Sequence, residues 1–301
     1  MIDTSLALGF IGLGVMGLPM CRNLAKKSGC QVFAFDQDAD RVSSLSDVGV
    51  KACAELRDLV AQSDIIFMAL PSGKQVDLVC RMERGLIDGA MPGQVIVDLG
   101  TTPVQLTRDI ASEFAQANVK YIDAPIARTR HAAVDGTLSI MVGASDADFA
   151  LIEPYLLCMG EEINHCGDTG CGQVVKIMNN MVLFQTVNAL SEAFAIAEKN
   201  GVPNAKLAEF FEIASADSFA LRNHAKKAII PKEFPEQAFS VMYALKDTAY
   251  ALQLADQSSI FAGGAENLCK VLEQAAEAGH GDNYFPIISQ LIGPGVGGET
   301  V

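Results

Sequence analysis

Long apolar runs are missing from this chain, and their absence excludes a class of protein. Among the 301 residues, no uninterrupted apolar stretch reaches the roughly 18 residues that a membrane-spanning helix requires. The first residues, Met1 to Thr4, contain no basic stretch ahead of an apolar segment, as a signal peptide would. We therefore expect a cytoplasmic protein that makes no contact with a membrane.

Positive charge and paired cysteines are also scarce. Lysine and arginine total 22 against 36 aspartates and glutamates, and the resulting net charge of −14 opposes nucleic-acid binding. The 8 cysteines include no Cys-x-x-Cys pair. His165, Cys166 and Cys171 lack the ligand spacing of a usual zinc site. The sequence therefore predicts free thiols, no bound metal and no nucleic-acid partner.

Apolar residues, by contrast, are plentiful enough for a large core. Half of the residues are hydrophobic and 19% are charged, and the length suggests two domains. Up to about residue 167, short apolar runs alternate with helical patterns, which predicts a parallel sheet with crossover helices. The predicted strands are residues 6–11, 31–35, 65–70, 95–98, 120–123, 138–142 and 163–165.

The strand signals largely stop beyond Gly172. Residues 173–199 form one continuous helical pattern, which Asn200 and Gly201 bring to an end. The rest of the chain is also helical in character. We therefore expect an α/β domain over residues 1–168 and an all-α domain over residues 169–301.

Three glycines between the first predicted strand and a helical pattern indicate a dinucleotide site. The motif reads Gly12-Leu13-Gly14-Val15-Met16-Gly17. The first glycine permits a tight turn, the second lets the backbone approach a pyrophosphate, and the third lets helix and strand pack closely. The free N–H groups and the positive end of the helix would then face the phosphates. The alternative is an ordinary glycine-rich turn, and the position between strand and helix favours the dinucleotide site.

Asp36 bears on which dinucleotide is bound. It lies 19 residues after Gly17, where the second predicted strand ends. A carboxylate there can accept hydrogen bonds from the adenosine ribose and repels a 2′-phosphate. Gln37 and Asp38 follow, with no lysine or arginine before Arg41, so the sequence favours NAD over NADP. The alternative role for Asp36 is that of a helix N-cap, since a helical pattern begins shortly afterwards.

The long helical segment carries a lysine and an amide at helical spacing. Lys176 and Asn180 are four residues apart and so lie one turn apart on one face of a helix. The surrounding residues, 174–183, are largely apolar on all sides, which indicates a mostly buried helix. A lysine in such a helix must reach a cleft or an opposite charge. The alternative is that Lys176 lies on the exposed side of an amphipathic helix.

Several motifs together resemble those of the β-hydroxyacid dehydrogenases, the family that includes 3-hydroxyisobutyrate dehydrogenases and tartronate semialdehyde reductases. The resemblance covers nearly the whole chain. Its motifs are an N-terminal signature over residues 10–20, a loop Leu70-Pro71-Ser72, a substrate segment Asp123-Ala124-Pro125 with Gly136-Thr137-Leu138, a catalytic segment with Gly172, Lys176 and Asn180, and a late pair Lys246-Asp247. Together these motifs are specific to the family, whereas any one of them alone is not.

The resemblance implies a Rossmann-like domain, a helical domain like the C-terminal one of 6-phosphogluconate dehydrogenase, and a cleft between them. It makes Lys176 the general acid/base, which protonates the carbonyl oxygen as hydride arrives or deprotonates the alcohol in reverse. Asn180 would bind the substrate, with Asn179 nearby. The implied cofactor-binding residues are Gly12, Leu13, Gly14, Val15, Met16, Gly17, Asp36, Gln37, Leu70, Pro71, Thr101 and Lys246. Family members usually form homodimers or homotetramers, and we expect the same here.

The substrate segment departs from the family pattern. Ala127-Arg128-Thr129 stands where the family has Ser-Gly-Gly. Arg128 could offer a forked pair of donors to an anion, with the Thr129 hydroxyl beside it. This pair is similar to that of sulfolactaldehyde reductases, although Leu183 stands where those enzymes have a hydroxyl-bearing residue. In the alternative, Arg128 pairs with a neighbouring carboxylate and only Thr129 touches the substrate. Tyr284 also stands where the family usually has an aspartate.

The sequence therefore predicts an NAD(H)-dependent oxidoreductase that interconverts a small anionic 3-hydroxy acid and its semialdehyde. The expected type is a 3-hydroxyisobutyrate dehydrogenase or a 2-hydroxy-3-oxopropionate reductase. One alternative is a reductase of a sulfonated aldehyde such as sulfolactaldehyde. Another, from a different class, is a non-catalytic dinucleotide-binding sensor. The pairing of Lys176 with Asn180 favours the enzyme.

Overall fold

A computed structural model of the chain describes residues 1–236 and 238–292. The chain divides into two compact units, Met1–Lys176 and Ile177–Val301. The predicted domain limits, 1–168 and 169–301, stay a prediction, and residues 293–301 of the second domain lie outside the described ranges. Within those ranges, no helix combines the length and the apolar character needed to cross a bilayer.

A nine-stranded sheet forms the centre of the first unit, in the order β3-β2-β1-β4-β5-β6-β8-β7, with β9 paired to β8. The strands are β1 Leu8–Ile11, β2 Val32–Phe35, β3 Lys51–Ala52, β4 Ile65–Met68, β5 Val95–Asp98, β6 Lys120–Asp123, β7 Ile126–Ala127, β8 Leu138–Gly143 and β9 Gly160–Gly167. Strands β1 to β6 pair in parallel, as predicted. Strand β8 departs from the prediction, because it runs antiparallel to β6 and β7.

Helices cover the sheet, whose central strands are buried on both faces. In β4, Phe67 packs in one apolar cluster while Ile66 and Met68 pack in the other, because successive side chains of a strand alternate between its faces. The α-helices of this unit are α1 Gly17–Ser28, α2 Ala39–Ser43, α3 Leu56–Ala61, α4 Gly73–Arg81, α5 Leu86–Gly89, α6 Val104–Gln116, α7 Arg130–Asp135 and α8 Asp146–Leu156. A short 3-10 helix, Ser46–Val48, follows α2. This arrangement confirms the predicted α/β Rossmann-like fold.

The loops that leave the parallel strands gather at one edge of the sheet. Strands β1, β2, β4 and β5 end at Ile11, Phe35, Met68 and Asp98, and each is followed by a loop of predicted site residues. Parallel strands present their carboxyl ends at the same edge. The chain winds outward in opposite directions from β1 and β4, which is where open α/β sheets bind ligands.

Helix α9, Cys171–Lys199, runs from the first unit into the second. It begins two residues earlier than predicted and ends before Gly201, whose φ of +83° supplies the left-handed turn that stops a helix. The further elements are α10 Asn204–Phe211, a π-helix Leu221–Ile229, α11 Val241–Gln257, α12 Gly263–Ala275, a π-helical turn Ala276–His280 and a 3-10 helix Phe285–Gln290. They share one apolar core around Phe184, Phe194 and Phe285, which confirms the predicted helical C-terminal part.

Candidate active site

The three glycines after β1 differ in their steric surroundings. Gly12 has a φ of +88°, and a Cβ there would lie 2.6 Å from the carbonyl oxygen of Ala69. A Cβ on Gly17 would lie 2.0 Å from the carbonyl oxygen of Gly12, so α1 can begin this close to β1 only at a glycine. A Cβ on Gly14 would meet no described atom within 4 Å. Packing within the chain therefore explains Gly12 and Gly17, and Gly14 leaves open space over its backbone.

Asp36 connects the end of β2 to this glycine loop. Its Oδ2 accepts a hydrogen bond from the backbone N–H of Leu13 at 2.5 Å, and its Oδ1 accepts from Asp38 at 2.9 Å. The N-cap of α2 is Asp38, whose side chain accepts from the N–H of Asp40. The alternative that Asp36 caps the helix is therefore wrong. Its half-buried carboxylate lies beside the glycine loop, as a ribose-binding residue requires.

The other predicted cofactor residues of these loops lie on or near the surface. The Leu70 side chain lies against Gly12, since its Cδ2 would be 3.1 Å from a Cβ placed there. Pro71 and Gln37 are exposed, Met16 is half-buried, and Val15 keeps 61% of its surface exposed. A loop that binds a ligand through its backbone can present such side chains to solvent without loss of function.

Thr101 lies in the loop after β5, between two residues that are held by a buried carboxylate. Asp98, which is completely buried, accepts from the backbone N–H of Gly100 at 2.9 Å and from the Thr102 hydroxyl at 2.7 Å. The Tyr121 hydroxyl donates to the same carboxylate at 3.3 Å. These bonds fix the backbone on both sides of Thr101, which is itself half-buried.

The first turn of α9 is anchored by a second buried carboxylate, Asp123 at the end of β6. Its Oδ1 accepts from the N–H of Gly170 at 2.6 Å, and its Oδ2 accepts from that of Gln173 at 2.8 Å. Burial raises the pKa of Asp123 to about 6, although the two N–H donors oppose this rise. A Cβ on Gly172 would lie 2.4 Å from the carbonyl oxygen of Met141, so the helix touches the sheet backbone here. The start of α9 is therefore fixed against β6 and β8.

Lys176 follows one turn into this helix and is 8% exposed. The alternative that it lies on the exposed side of an amphipathic helix is therefore wrong. Its neighbour Val175, which is 42% exposed, occupies that side instead. The structure thus places a long basic side chain in a largely buried position beside anchored backbone.

Asn180, one turn further along α9, belongs to a polar network in the second unit. Its Nδ2 donates to Oδ2 of Asp247 at 2.6 Å, and its Oδ1 accepts from the side chain of Asn179 at 3.1 Å. The Lys246 ammonium lies 3.2 Å from Oδ1 of Asp247 and within 5.5 Å of the ring centroids of two tyrosines, Tyr243 and Tyr250. The buried Asp247 therefore brings the predicted substrate amide and the predicted cofactor lysine together.

Arg128 has an unusual backbone, and its side chain contacts three neighbouring residues. Its φ of +85° falls in the left-handed region, which suits the glycine that the family has at this position. The guanidinium donates to the carbonyl oxygen of Thr137 at 2.6 Å and to Glu161, and it lies 2.8 Å from Glu162. These contacts match the second interpretation of Arg128, in which it pairs with neighbouring carboxylates. Thr129 follows as an exposed residue just before α7.

Sequence reasoning gave no role to a pair of aromatic side chains in the second unit. Tyr284, which replaces the family aspartate, forms a hydrogen bond between its hydroxyl group and Nδ1 of His224. Burial lowers the pKa of His224 to about 4 and raises the pKa of Tyr284 to about 12, so both side chains are neutral at pH 7. His224 lies in a π-helix, and no local sequence signal connects it with a residue 60 positions later.

The residues around the glycine loop fit a dinucleotide. The backbone is open at Gly14, the loop leads into the N-terminal end of α1, where the helix dipole is positive, and Asp36 lies at the end of β2. Groups of three or more side chains able to hold a metal ion are absent from the described residues. The groups at this edge of the sheet could therefore hold phosphates and ribose hydroxyls, and Lys176 adds a buried lysine.

Comparisons with known proteins show which family the chain resembles. Residues 7–167 match the family model described as the NAD binding domain of 6-phosphogluconate dehydrogenase, and residues 170–291 match that described as NAD-binding of NADP-dependent 3-hydroxyisobutyrate dehydrogenase. The chain is 36% identical to 2-(hydroxymethyl)glutarate dehydrogenase of Eubacterium barkeri, over 86% of this chain and 85% of that protein. It is 34% identical to 2-hydroxy-3-oxopropionate reductase of Escherichia coli, over 82% and 84% of the two chains.

A solved structure of Mycobacterium tuberculosis 3-hydroxyisobutyrate dehydrogenase with L-serine is also similar. It has a TM-score of 0.88 and 26% identity, and the match covers 97% of this chain and 99% of that one. The family models together span most of the chain and agree with the glycine loop and the helical part found here. The chain therefore belongs to the β-hydroxyacid dehydrogenase family and is an NAD(P)-binding dehydrogenase or reductase that acts on a hydroxyl group.

Proposed function

We propose that this protein interconverts a small 3-hydroxy acid and its semialdehyde, with NAD as the cofactor and Lys176 as the general acid/base. The observation that carries the proposal is the burial of Lys176, one turn into a helix whose start is anchored beside the cofactor loops. An exposed lysine there would be an ordinary surface residue. A buried ammonium is shielded from bulk water, where it can interact strongly with a charge that develops on a substrate.

Asp36 supports the choice of NAD. Its carboxylate is held at the glycine loop by Leu13, where it can accept a hydrogen bond from a ribose hydroxyl and repel a 2′-phosphate. Arg41, the first basic residue after it, is paired with Asp38 at 3.1 Å. When bound, the dinucleotide supplies the hydride donor or acceptor. The residues proposed to hold it are the glycine loop, Asp36 with Gln37, Leu70 with Pro71, Thr101, and Lys246.

Lys176 would donate a proton to the carbonyl oxygen of the semialdehyde, or remove one from the hydroxyl group in the reverse direction. An ammonium group suits this role because it stabilises the negative charge that develops on oxygen and can then transfer its proton. Low exposure to water strengthens that interaction. Asn180 would hold the substrate, because an amide nitrogen carries two hydrogens and Asp247 accepts only one of them.

The relatives support a substrate class rather than one compound. Their names refer to 3-hydroxyisobutyrate, 2-(hydroxymethyl)glutarate and 2-hydroxy-3-oxopropionate. These compounds share a three-carbon acid with an oxygen on C3, and they differ in the substituent on C2. We therefore propose a 3-hydroxypropanoate with a variable C2 substituent as the substrate frame.

Thr129 and the backbone around it would hold the acid group of this frame, with Arg128 as the residue that shapes the loop. The contacts of Arg128 with Glu161 and Glu162 support this assignment, since a guanidinium that serves two carboxylates has less charge to offer an anion. A sulfonate in place of the carboxylate should then be a poor substrate.

Variants of two lysines on the same helix test the proposal. Lys176→Met removes the proposed acid/base, and Lys199→Met removes an exposed lysine at the end of α9. The purified proteins are assayed with NAD+ or NADP+ on 3-hydroxyisobutyrate, glycerate, 2-(hydroxymethyl)glutarate, L-serine and a 3-hydroxysulfonate. We expect Lys176→Met to lower kcat about 1,000-fold, the usual scale of general acid–base catalysis, and Lys199→Met to leave it unchanged.

Binding of NADH, followed by fluorescence, separates loss of chemistry from loss of cofactor. We expect the dissociation constant of NADH to change less than threefold in both variants, since neither lysine is placed at the cofactor by the proposal. Full activity of Lys176→Met would rule out the proposed mechanism. Binding of NADH without turnover of any compound by the wild-type protein would favour the sensor.

A further inference from the structure

The loop that presents Thr101 is held from two sides. On one side, the carboxylate of Asp98 accepts hydrogen bonds from the N–H of Gly100 and the hydroxyl of Thr102. On the other side, the side-chain amide of Gln173 accepts from the N–H of Thr102 at 3.0 Å and donates to the carbonyl oxygen of Gly100 at 2.9 Å. The two residues that flank Thr101 are therefore bonded on both sides by buried groups.

Gln173 is itself fixed at its backbone. It is completely buried, and its N–H donates to Asp123 at the end of β6. Its amide thus joins the loop after β5 to the first turn of α9, between residues 71 and 73 positions apart in the chain. The oxygen and the nitrogen of the Gln173 amide each form a hydrogen bond with the loop, so the two bonds fix both the distance and the orientation of the loop relative to the helix.

Lys176 lies three residues after Gln173 on the same helix, which corresponds to a rise of about 4.5 Å. Any displacement of Gln173 relative to the β5 loop therefore displaces Lys176 relative to Thr101. We propose that Gln173 is a positioning residue that fixes the general acid/base against the cofactor loop. This inference rests on the proposed function, because it takes Lys176 as the acid/base and Thr101 as a cofactor contact.

Loss of the Gln173 amide should lower the catalytic rate more than it lowers the stability of the fold. Without the amide, the N–H of Thr102 and the carbonyl group of Gly100 lose their partners, and the loop can relax away from the helix. A misplacement of about 1 Å at a reacting centre can lower a rate as much as 100-fold. The loop keeps its contacts with Asp98, so the fold itself retains one of its two supports.

A second buried glutamine provides the matched control. Gln94 donates from Nε2 to the carbonyl oxygens of Val60 and Ser63, each at 2.7 Å, and its Oε1 accepts from the N–H of Met91 at 2.7 Å. It is 5% exposed and precedes β5, at the sheet edge opposite to the site. Its loss breaks three side-chain hydrogen bonds where the loss of Gln173 breaks two.

The experiment compares Gln173→Met with Gln94→Met, since methionine is unbranched and close to glutamine in length. For both proteins we measure Tm, kcat, the two KM values and the primary deuterium isotope effect with NADH deuterated at C4 of the nicotinamide. We expect Gln173→Met to lower kcat at least tenfold and to raise the isotope effect. We expect Gln94→Met to keep kcat and the isotope effect within twofold of wild type, with an equal or larger loss in Tm.

Equal behaviour of the two variants would overturn the inference. If Gln173→Met does not fold, Gln173→Asn replaces it, because the shorter amide cannot reach both loop residues; wild-type kcat in that variant would also overturn the inference. Failure of the proposed function is separate, since it would appear as full activity in Lys176→Met. Loss of activity in Lys176→Met with wild-type kcat in Gln173→Met would refute only the positioning role.

Discussion

Asp36 and Asp123 occupy similar places at the carboxyl edge of the sheet and have different surroundings. Asp36 directly follows β2, Asp123 ends β6, and each accepts a hydrogen bond from the backbone of another element. Asp36 is half-buried beside a loop with open space over Gly14, whereas Asp123 is completely buried under the start of α9. The start of α9 uses both carboxylate oxygens of Asp123, whereas the carboxylate of Asp36 keeps part of its surface accessible, as its proposed role toward the cofactor requires.

Replacement of Asp123 by alanine should produce the largest effect. In Asp123→Ala, the buried N–H groups of Gly170 and Gln173 lose their acceptor. At roughly 1–3 kcal/mol for each unsatisfied group, we expect the free energy of unfolding at pH 7 to fall by about 4 kcal/mol. Urea titration measures this loss. A loss no larger than that of Asp36→Ala would contradict the structural role that distinguishes Asp123 from Asp36.

The second largest expected effect is a pH dependence of the free energy of unfolding, which the titration of Asp123 produces. The ordinary pKa of 3.8 applies to unfolded Asp123, and burial raises it to about 6 in the folded protein. Between these values the folded state holds a proton that the unfolded state has released, so the stabilisation that comes from this extra proton is present below pH 4 and is lost as pH rises through 6. The two hydrogen bonds that the carboxylate accepts are a separate contribution and remain at pH 7. We expect about 3 kcal/mol over this range. Urea titrations from pH 4 to 7 check it, and an equal slope in Asp123→Asn would contradict the assignment.

Replacement of Asp36 should produce the smallest effect on stability and the only effect on cofactor choice. Asp36→Ala should lower the free energy of unfolding by about 1 kcal/mol, because its carboxylate is only half-buried. The ratio of kcat/KM for NAD over NADP should fall about tenfold, since ribose hydroxyls lose a charged acceptor. Asp38→Ala is the control, because Asp38 caps α2 and should change stability without changing that ratio. An unchanged ratio in Asp36→Ala would remove Asp36 from the cofactor site.

Local signals account for the parts that sequence predicts well. The glycine loop, Asp36 and the 29-residue helix α9 each depend on a short segment with its own pattern. Strands β3 and β7 have only two residues each, too few to show alternation. The reversal of β8 could not be read from its sequence either, because an apolar run has no signal for direction.

The supporting residues of the site were missed because their partners are distant in the chain. Asp98 accepts from Tyr121 across 23 residues, and Gln173 reaches Thr102 across 71. In the sequence alone, Gln173 cannot be told from an exposed polar residue. Its role becomes visible only when the two backbone groups that its amide contacts are known. Arg128 allowed two interpretations for the same reason, since Glu161 lies 33 residues away.

The continuity of α9 sets a rule for how this enzyme can vary. Within one helix, each residue advances about 1.5 Å along the axis and turns by about 100°. The spacing between Lys176 and Asn180 is therefore set by the backbone hydrogen bonds of the helix. Substitutions other than proline in residues 177–179 keep this spacing, whereas the insertion of a single residue would rotate Asn180 by about 100° relative to Lys176.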